Sequence, residues 1–199
     1  MTHYILVGGG DMEAGDQYGQ EIAYKVSQLV GKKNLTILSC LFASKDEEWT
    51  EDYEVLEPWF KKYFTGCTVI RASYDKFTDQ LKDADVVYFH GGLTSRLVEN
   101  MERFANVEEY LRDKVVIGSS AGAGFLATAY WSYNARNVGS GSGIIERAVI
   151  AHYGASKESA EYTDKDWIEA EYRLAEYIDH KMPIEKIPEG KFVVFEKTR

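Results

Sequence analysis

The chain has 199 residues, 45% of them hydrophobic and 28% charged, which is enough for one sizeable core. Its net charge of −9 argues against nucleic acid as the main partner, because a phosphate backbone would be repelled. No apolar run approaches the roughly 18 residues of a membrane span, and the only cysteines, Cys40 and Cys67, lie in or beside apolar strand-like runs, so free thiols in a reducing compartment are expected.

The first residues lead directly into a strand, Tyr4–Val7, with no basic segment, apolar stretch and cleavage site ahead of it. A cytoplasmic location is therefore expected. Gly8-Gly9-Gly10 ends that strand, and a helix follows over Asp16–Val30 with Ile22, Val26, Leu29 and Val30 on one face. Leu35–Leu41 reads as the second strand. The segment Glu48–Phe64 reads as helix, acidic early and with Lys61 and Lys62 late, as the macrodipole favours. Pro58 is expected to kink or divide it. Cys67–Ile70 is a third strand, Tyr74–Leu81 a short helix, and Val86–Phe89 a fourth strand. Helices fill Thr94–Phe104 and Val107–Arg112 before a fifth, β-branched strand at Val115–Ile117. Apolar strands alternating with amphipathic helices predict a parallel sheet covered on both faces. Beyond this point Trp131–Gly143, rich in Asn, Ser and Gly, reads as loop. Asp166–His180 reads as helix and Phe192–Phe195 as a last strand, with Pro183 and Pro188 punctuating its approach. No linker divides the chain, so one α/β domain over residues 1–199 is expected.

The fifth strand enters Gly118-Ser119-Ser120-Ala121-Gly122, a G-x-S-x-G pattern with Ala123 and Gly124 behind it. A serine on a sharp strand-to-helix turn has its hydroxyl pushed out of the sheet, and its neighbours must be small because the chain folds back on itself. Two other glycine sites follow strands. Gly8-Gly9-Gly10 fails the dinucleotide pattern G-x-G-x-x-G, because Glu13 stands where the third glycine belongs, and reads as a tight turn. Gly91-Gly92 follows the fourth strand. If that strand neighbours the fifth, the Gly92 and Ala121 amides make a two-donor oxyanion hole beside Ser120. Of four histidines, His3 is terminal, His180 ends a helix and His90 precedes the glycine pair. His152, after Val149-Ile150-Ala151, is the best-placed base.

With these residues in hand, the chain resembles the serine peptidases related to dipeptidase E and cyanophycinase. Gly118–Ala123 looks like that family's G-x-S-A-G-A signature. Tyr88–Gly92 with Thr94 and Leu97 resembles its apolar strand, Gly-Gly and T-x-x-L helix. Ala151-His152-Tyr153 resembles its Pro-His-aromatic site, and Leu6–Gly10 fits its opening. The resemblance implies a flavodoxin-like three-layer α/β/α sandwich with a mostly parallel sheet, like class I glutamine amidotransferases. It implies Ser120 as nucleophile, His152 as base, and Gly92 and Ala121 as oxyanion amides. The family's aspartate falls on Ala135, and residues 124–151 hold no aspartate and only one carboxylate, Glu146. No carboxylate is expected to reach the imidazole as the family aspartate does; Asn134, as asparagine does in papain-like enzymes, a backbone carbonyl or water is expected in that place, and Glu146 only if the loop folds unlike the family's. Leu93 stands where the family usually carries a polar residue.

The expected function is a serine-type peptidase acting on small peptides by a Ser-His mechanism, with no metal or organic cofactor. The alternative is a catalytically weak member that binds a small ligand, and a third reading is an amidotransferase-like partner subunit. The expected partner is a small peptide substrate, not nucleic acid or membrane, and the sequence leaves room for a homodimer. An acidic substrate side chain would need a cation, for which Arg96, Arg136 and Arg147 are the candidates.

Overall fold

The computed structural model describes residues 1–10, 14–155 and 162–198. Glu13, the residue that breaks the dinucleotide pattern, lies outside them. The main sheet is built from β1 (Thr2–Val7), β2 (Thr36–Cys40), β3 (Thr68–Arg71), β4 (Val86–Phe89), β5 (Val115–Ser119) and β10 (Phe192–Lys197). Their order is β10-β1-β5-β4-β2-β3; β1 to β5 run parallel and only β10 is antiparallel. The fold is thus α/β with a mostly parallel central sheet, as expected. β5 sits between β1 and β4, so the carboxyl ends of three strands meet where the serine turn begins.

Side-chain alternation assigns the two faces. Ile5, Val7, Ile37, Val86, Tyr88, Val115 and Ile117 pack against Ile22 and Val26 of α1 (Gly15–Val30) and Leu56 and Phe60 of α2 (Trp49–Tyr63). Their neighbours Tyr4, Leu6, Leu38, Val87, Phe89 and Val116 face the other way. They meet Phe77 and Leu81 of α3 (Phe77–Asp83), Leu97 and Met101 of α4 (Thr94–Met101), and the buried turn α6 (Ala121–Leu126). A short helix, α5 (Val107–Tyr110), completes this side.

α2 is not divided at Pro58: it runs as one helix through it. A proline there loses one backbone bond, but Leu56 and Phe60 on either side are fully buried against the sheet and hold the helix down. Both cysteines are free, and burial pushes the Cys40 thiol up to about 12, so it is inert at neutral pH. Among the described residues, no helix is long and apolar enough to cross a membrane.

The expected loop at 131–143 is instead part of a second sheet. β6 (Ala127–Ser132) pairs antiparallel with β7 (Asn137–Ser140) and parallel with β8 (Ile145–Ala151), which pairs with β9 (Ile184–Ile187). Composition hid β7 because it is an edge strand, where polar residues are tolerated. Gly139 is there for the ring opposite: a Cβ on it would lie 2.5 Å from Tyr130 Cζ. β9 is short and bracketed by Pro183 and Pro188, so it reads as punctuation. This sheet packs Ala129, Trp131, Ala148 and Ile150 against Trp167, Ala170 and Leu174 of α7 (Asp164–Tyr177).

Candidate active site

Ser120 sits between β5 and α6 at φ 49°, ψ −103°, a conformation that costs a non-glycine residue about 1–3 kcal/mol. Two features hold it there. Its amide donates to the Val7 carbonyl at the end of β1 (3.0 Å), and its carbonyl accepts from the Gly124 amide (3.1 Å). The small neighbours are obligatory. A Cβ on Gly118 would lie 2.6 Å from the Gly122 backbone, and one on Gly122 would lie 2.2 Å from the Phe89 carbonyl oxygen.

The strain makes a prediction about stability. Ser120→Gly should melt about 2–6 °C above Ser120→Ala, because glycine relieves the positive φ at a smaller cost in unfolded-chain entropy. Thermal melting of the two purified variants checks this, and equal midpoints would contradict it.

His152 follows β8, also at positive φ (57°), with its amide donating to the Gly8 carbonyl (2.8 Å). That bond brings the end of the second sheet onto the end of the first. The ring then lies with Nε2 2.7 Å from Ser120 Oγ. On its other side, Nδ1 is 2.6 Å from Oε1 of Glu189. A carboxylate only accepts, so Nδ1 carries the proton and Nε2 keeps a lone pair for the serine hydroxyl. Tyr133 lies against the ring face, its centroid 5.5 Å away, and is itself stacked on Tyr162 at 4.4 Å.

Glu189 corrects the expectation that no carboxylate reaches His152. It lies on the turn between β9 and β10, far along the chain from Ala135, and its long side chain bridges the gap. The turn is fixed: the Lys191 amide donates to the Pro188 carbonyl (3.2 Å), and the Gly190 amide to the Gly9 carbonyl (2.9 Å). The sequence signal was Pro188-Glu189-Gly190, a carboxylate held between two turn residues just before the strand that returns to β1. Asn134 lines the cleft, but the nitrogen it was expected to orient is taken by Glu189. Glu146 is an exposed residue of β8.

Gly8-Gly9-Gly10 is more than a tight turn. A Cβ on Gly8 would lie 2.1 Å from the Pro188 carbonyl oxygen, and one on Gly9, at φ +93°, would lie 2.3 Å from His152 Cε1. The turn is the seat on which the imidazole and the Glu189 turn both rest. On the opposite wall, Gly91 passes Ser120 closely enough that a Cβ would lie 3.5 Å from the serine Cβ. Gly92 follows at φ +134°, pressed against Ala43, and the next amide, of Leu93, donates to the Ala43 carbonyl (3.0 Å).

These residues line a cleft of about 520 Å³ that includes Ser120, His152, Gly92 and Asn134. The arginines expected to receive an acidic side chain are not in it. Arg136 pairs with Asp166 (3.1 Å) and lies over the Tyr162 ring; Arg147 pairs with Glu185 (3.2 Å) and lies over Phe195. Arg96 Nη1 is 3.5 Å from the Ala43 carbonyl oxygen. The polarity of α7 and β9 accounts for the first two, since each offers a carboxylate nearer than the cleft.

The sequence profile of peptidase family S51 matches residues 4–199. Comparison with curated protein sequences gives no significant match. Among solved structures, the chain is similar to a candidate peptidase E protein from Listeria monocytogenes EGD-e, at 15% identity and a TM-score of 0.64, with both chains covered in full (100%). It is also similar to a peptidase from an acI-B1 Actinobacterium, at 18% identity and a TM-score of 0.63, over 98% of this chain and 83% of that one. At such identities the two structures speak for the fold.

Proposed function

Because the chain belongs to peptidase family S51, we propose that it is a serine hydrolase cleaving small peptides with the triad Ser120, His152 and Glu189. The observation that carries this reading is the unbroken line from Ser120 Oγ through both imidazole nitrogens to Glu189, at 2.7 and 2.6 Å. His152 Nε2 takes the hydroxyl proton as Ser120 Oγ attacks the peptide carbonyl. The Gly92 and Ala121 amides receive the negative charge that forms on the carbonyl oxygen. His152 returns the proton to the leaving amine, the acyl group stays on Ser120, and a water activated by the same imidazole releases it. Glu189 keeps the imidazole in the tautomer that can accept, and it stabilises the imidazolium of each transition state. No cofactor has a part in these steps.

The alternative of a ligand-binding member without catalysis drew its support from a missing acid, and Glu189 removes that ground. The test is a fluorophosphonate probe, which reports an activated serine without requiring the substrate to be known. Wild type should be labelled at Ser120, and both Ser120→Ala and His152→Ala should lose the label while keeping the wild-type circular dichroism. An unlabelled but folded wild type would sink the proposal.

A further inference from the structure

The cleft wall opposite His152 is acidic and partly greasy. Its fixed charges are Glu51 and Asp52, in the first turn of α2, and among the described residues no lysine or arginine lines the cleft. Asp52 is anchored, since its Oδ2 accepts from the Ser44 hydroxyl at 2.5 Å. His90 lines the same wall, packed on Tyr88 with centroids 6.0 Å apart. Burial pushes its pKa down, against the pull of Asp52, so the ring is neutral and does not cancel the carboxylates. Its Nδ1 is buried and has no hydrogen-bond partner among the described residues. An unpaired buried nitrogen is costly unless a bound group satisfies it. Beside these polar groups Val55 and Leu93 are 54% and 39% exposed, and both line the cleft.

We infer that this wall is a subsite for a basic side chain, lysine or arginine, on the carbonyl side of the cleaved bond. The inference rests on the proposed hydrolase reading. The leaving amine must take its proton from His152, so the amine half of the substrate lies along the wall of His152, Tyr133 and Asn134. The acyl half therefore lies along the wall of Gly92 and α2. A lysine or arginine there lays its methylene stem on Val55 and Leu93 and extends its charged head to Asp52 and Glu51, the arrangement such amphipathic side chains favour. An acidic side chain in the same place would meet two like charges, with no lysine or arginine among the described residues that line the cleft.

The test uses the full-length protein and four dipeptides with free amino groups, Lys-Leu, Arg-Leu, norleucyl-Leu and Asp-Leu. The α-ammonium is common to all four, so only the side chain differs. The expected result is a kcat/KM for Lys-Leu and Arg-Leu at least about tenfold above norleucyl-Leu, with Asp-Leu poorest. In Asp52→Asn/Glu51→Gln the lysine-to-norleucine ratio should fall to near one; Glu51 is exposed, and an asparagine at the half-buried position 52 keeps an oxygen that can accept from Ser44, so the substitutions do not threaten the core. A wild-type ratio near one, a ratio unchanged in the double variant, or a preference for Asp-Leu would overturn the inference. Calorimetric binding of the same dipeptides to Ser120→Ala measures the preference independently of turnover, and Lys-Leu should bind about tenfold tighter than norleucyl-Leu. Loss of the preference with Ser120 still labelled by the fluorophosphonate removes the subsite alone. An unlabelled Ser120 removes the hydrolase reading, and the binding comparison still judges the subsite.

Discussion

Glu189→Gln is expected to lower kcat by about 10³–10⁴-fold while leaving KM within a few-fold of wild type. The amide is close to isosteric with the carboxylate, so the turn between β9 and β10 should keep its shape. It removes the negative charge that stabilises the imidazolium, and its NH₂ group can donate to Nδ1 and hold the ring in the tautomer that cannot accept the serine proton. The loss therefore appears in the transition state and not in substrate binding. Asn134→Ala supplies the contrast. Asn134 lines the cleft, while Glu189 holds the imidazole nitrogen, so this variant should stay within about threefold of wild type in kcat, since the oriented imidazole is untouched. Steady-state kinetics on the best dipeptide decides. A mild Glu189→Gln combined with a severe Asn134→Ala would return the orienting role to the asparagine.

Gly9→Ala is expected to cost about 10²-fold or more in kcat, with a folded protein left behind. The added methyl would overlap His152 Cε1 at 2.3 Å and Nε2 at 2.8 Å, and the imidazole is the only part of that contact free to rotate. It would swing away from Ser120, and a displacement of about 1 Å at a reacting group is enough for a hundredfold loss. The positive φ at Gly9 adds about 1 kcal/mol of strain to an alanine, a modest lowering of the melting temperature. Activity should thus fall far more than stability. Full activity in a folded Gly9→Ala would show that the imidazole is not seated on this turn.

Where backbone periodicity and local chemistry point the same way, the sequence is easily read. β4 spans Val86–Phe89 as its unbroken apolar run predicts, and the structure explains atom by atom why Gly118 and Gly122 flank Ser120. Reading fails where a residue's role is set by partners far along the chain. β7 is polar and glycine-bearing because it is an edge strand receiving Tyr130, a fact of packing that no local window carries. Glu189 is the sharper case. The expected acid position falls on Ala135, well before β9 in the chain. The same charge arrives 37 residues after His152, from a turn that touches the histidine only because Gly9 and Gly190 bond across the sheet ends. The arginines failed for a related reason: charge type was legible, but the carboxylate that would claim each one was not.

Each residue of the proposed triad stands on a different part of the architecture. Ser120 ends the main sheet's central strand, His152 ends a strand of the second sheet, and Glu189 sits on the connection that leaves the second sheet and returns to the first. In chain order the proposed nucleophile therefore comes well before the groups that would arm it. Without β8 and the connection from β9 to β10, Ser120 would have neither imidazole nor carboxylate beside it. Only when β9 has joined β8 and β10 has paired with β1 is the acid delivered. On the proposed mechanism, reactivity is thus tied to completed topology.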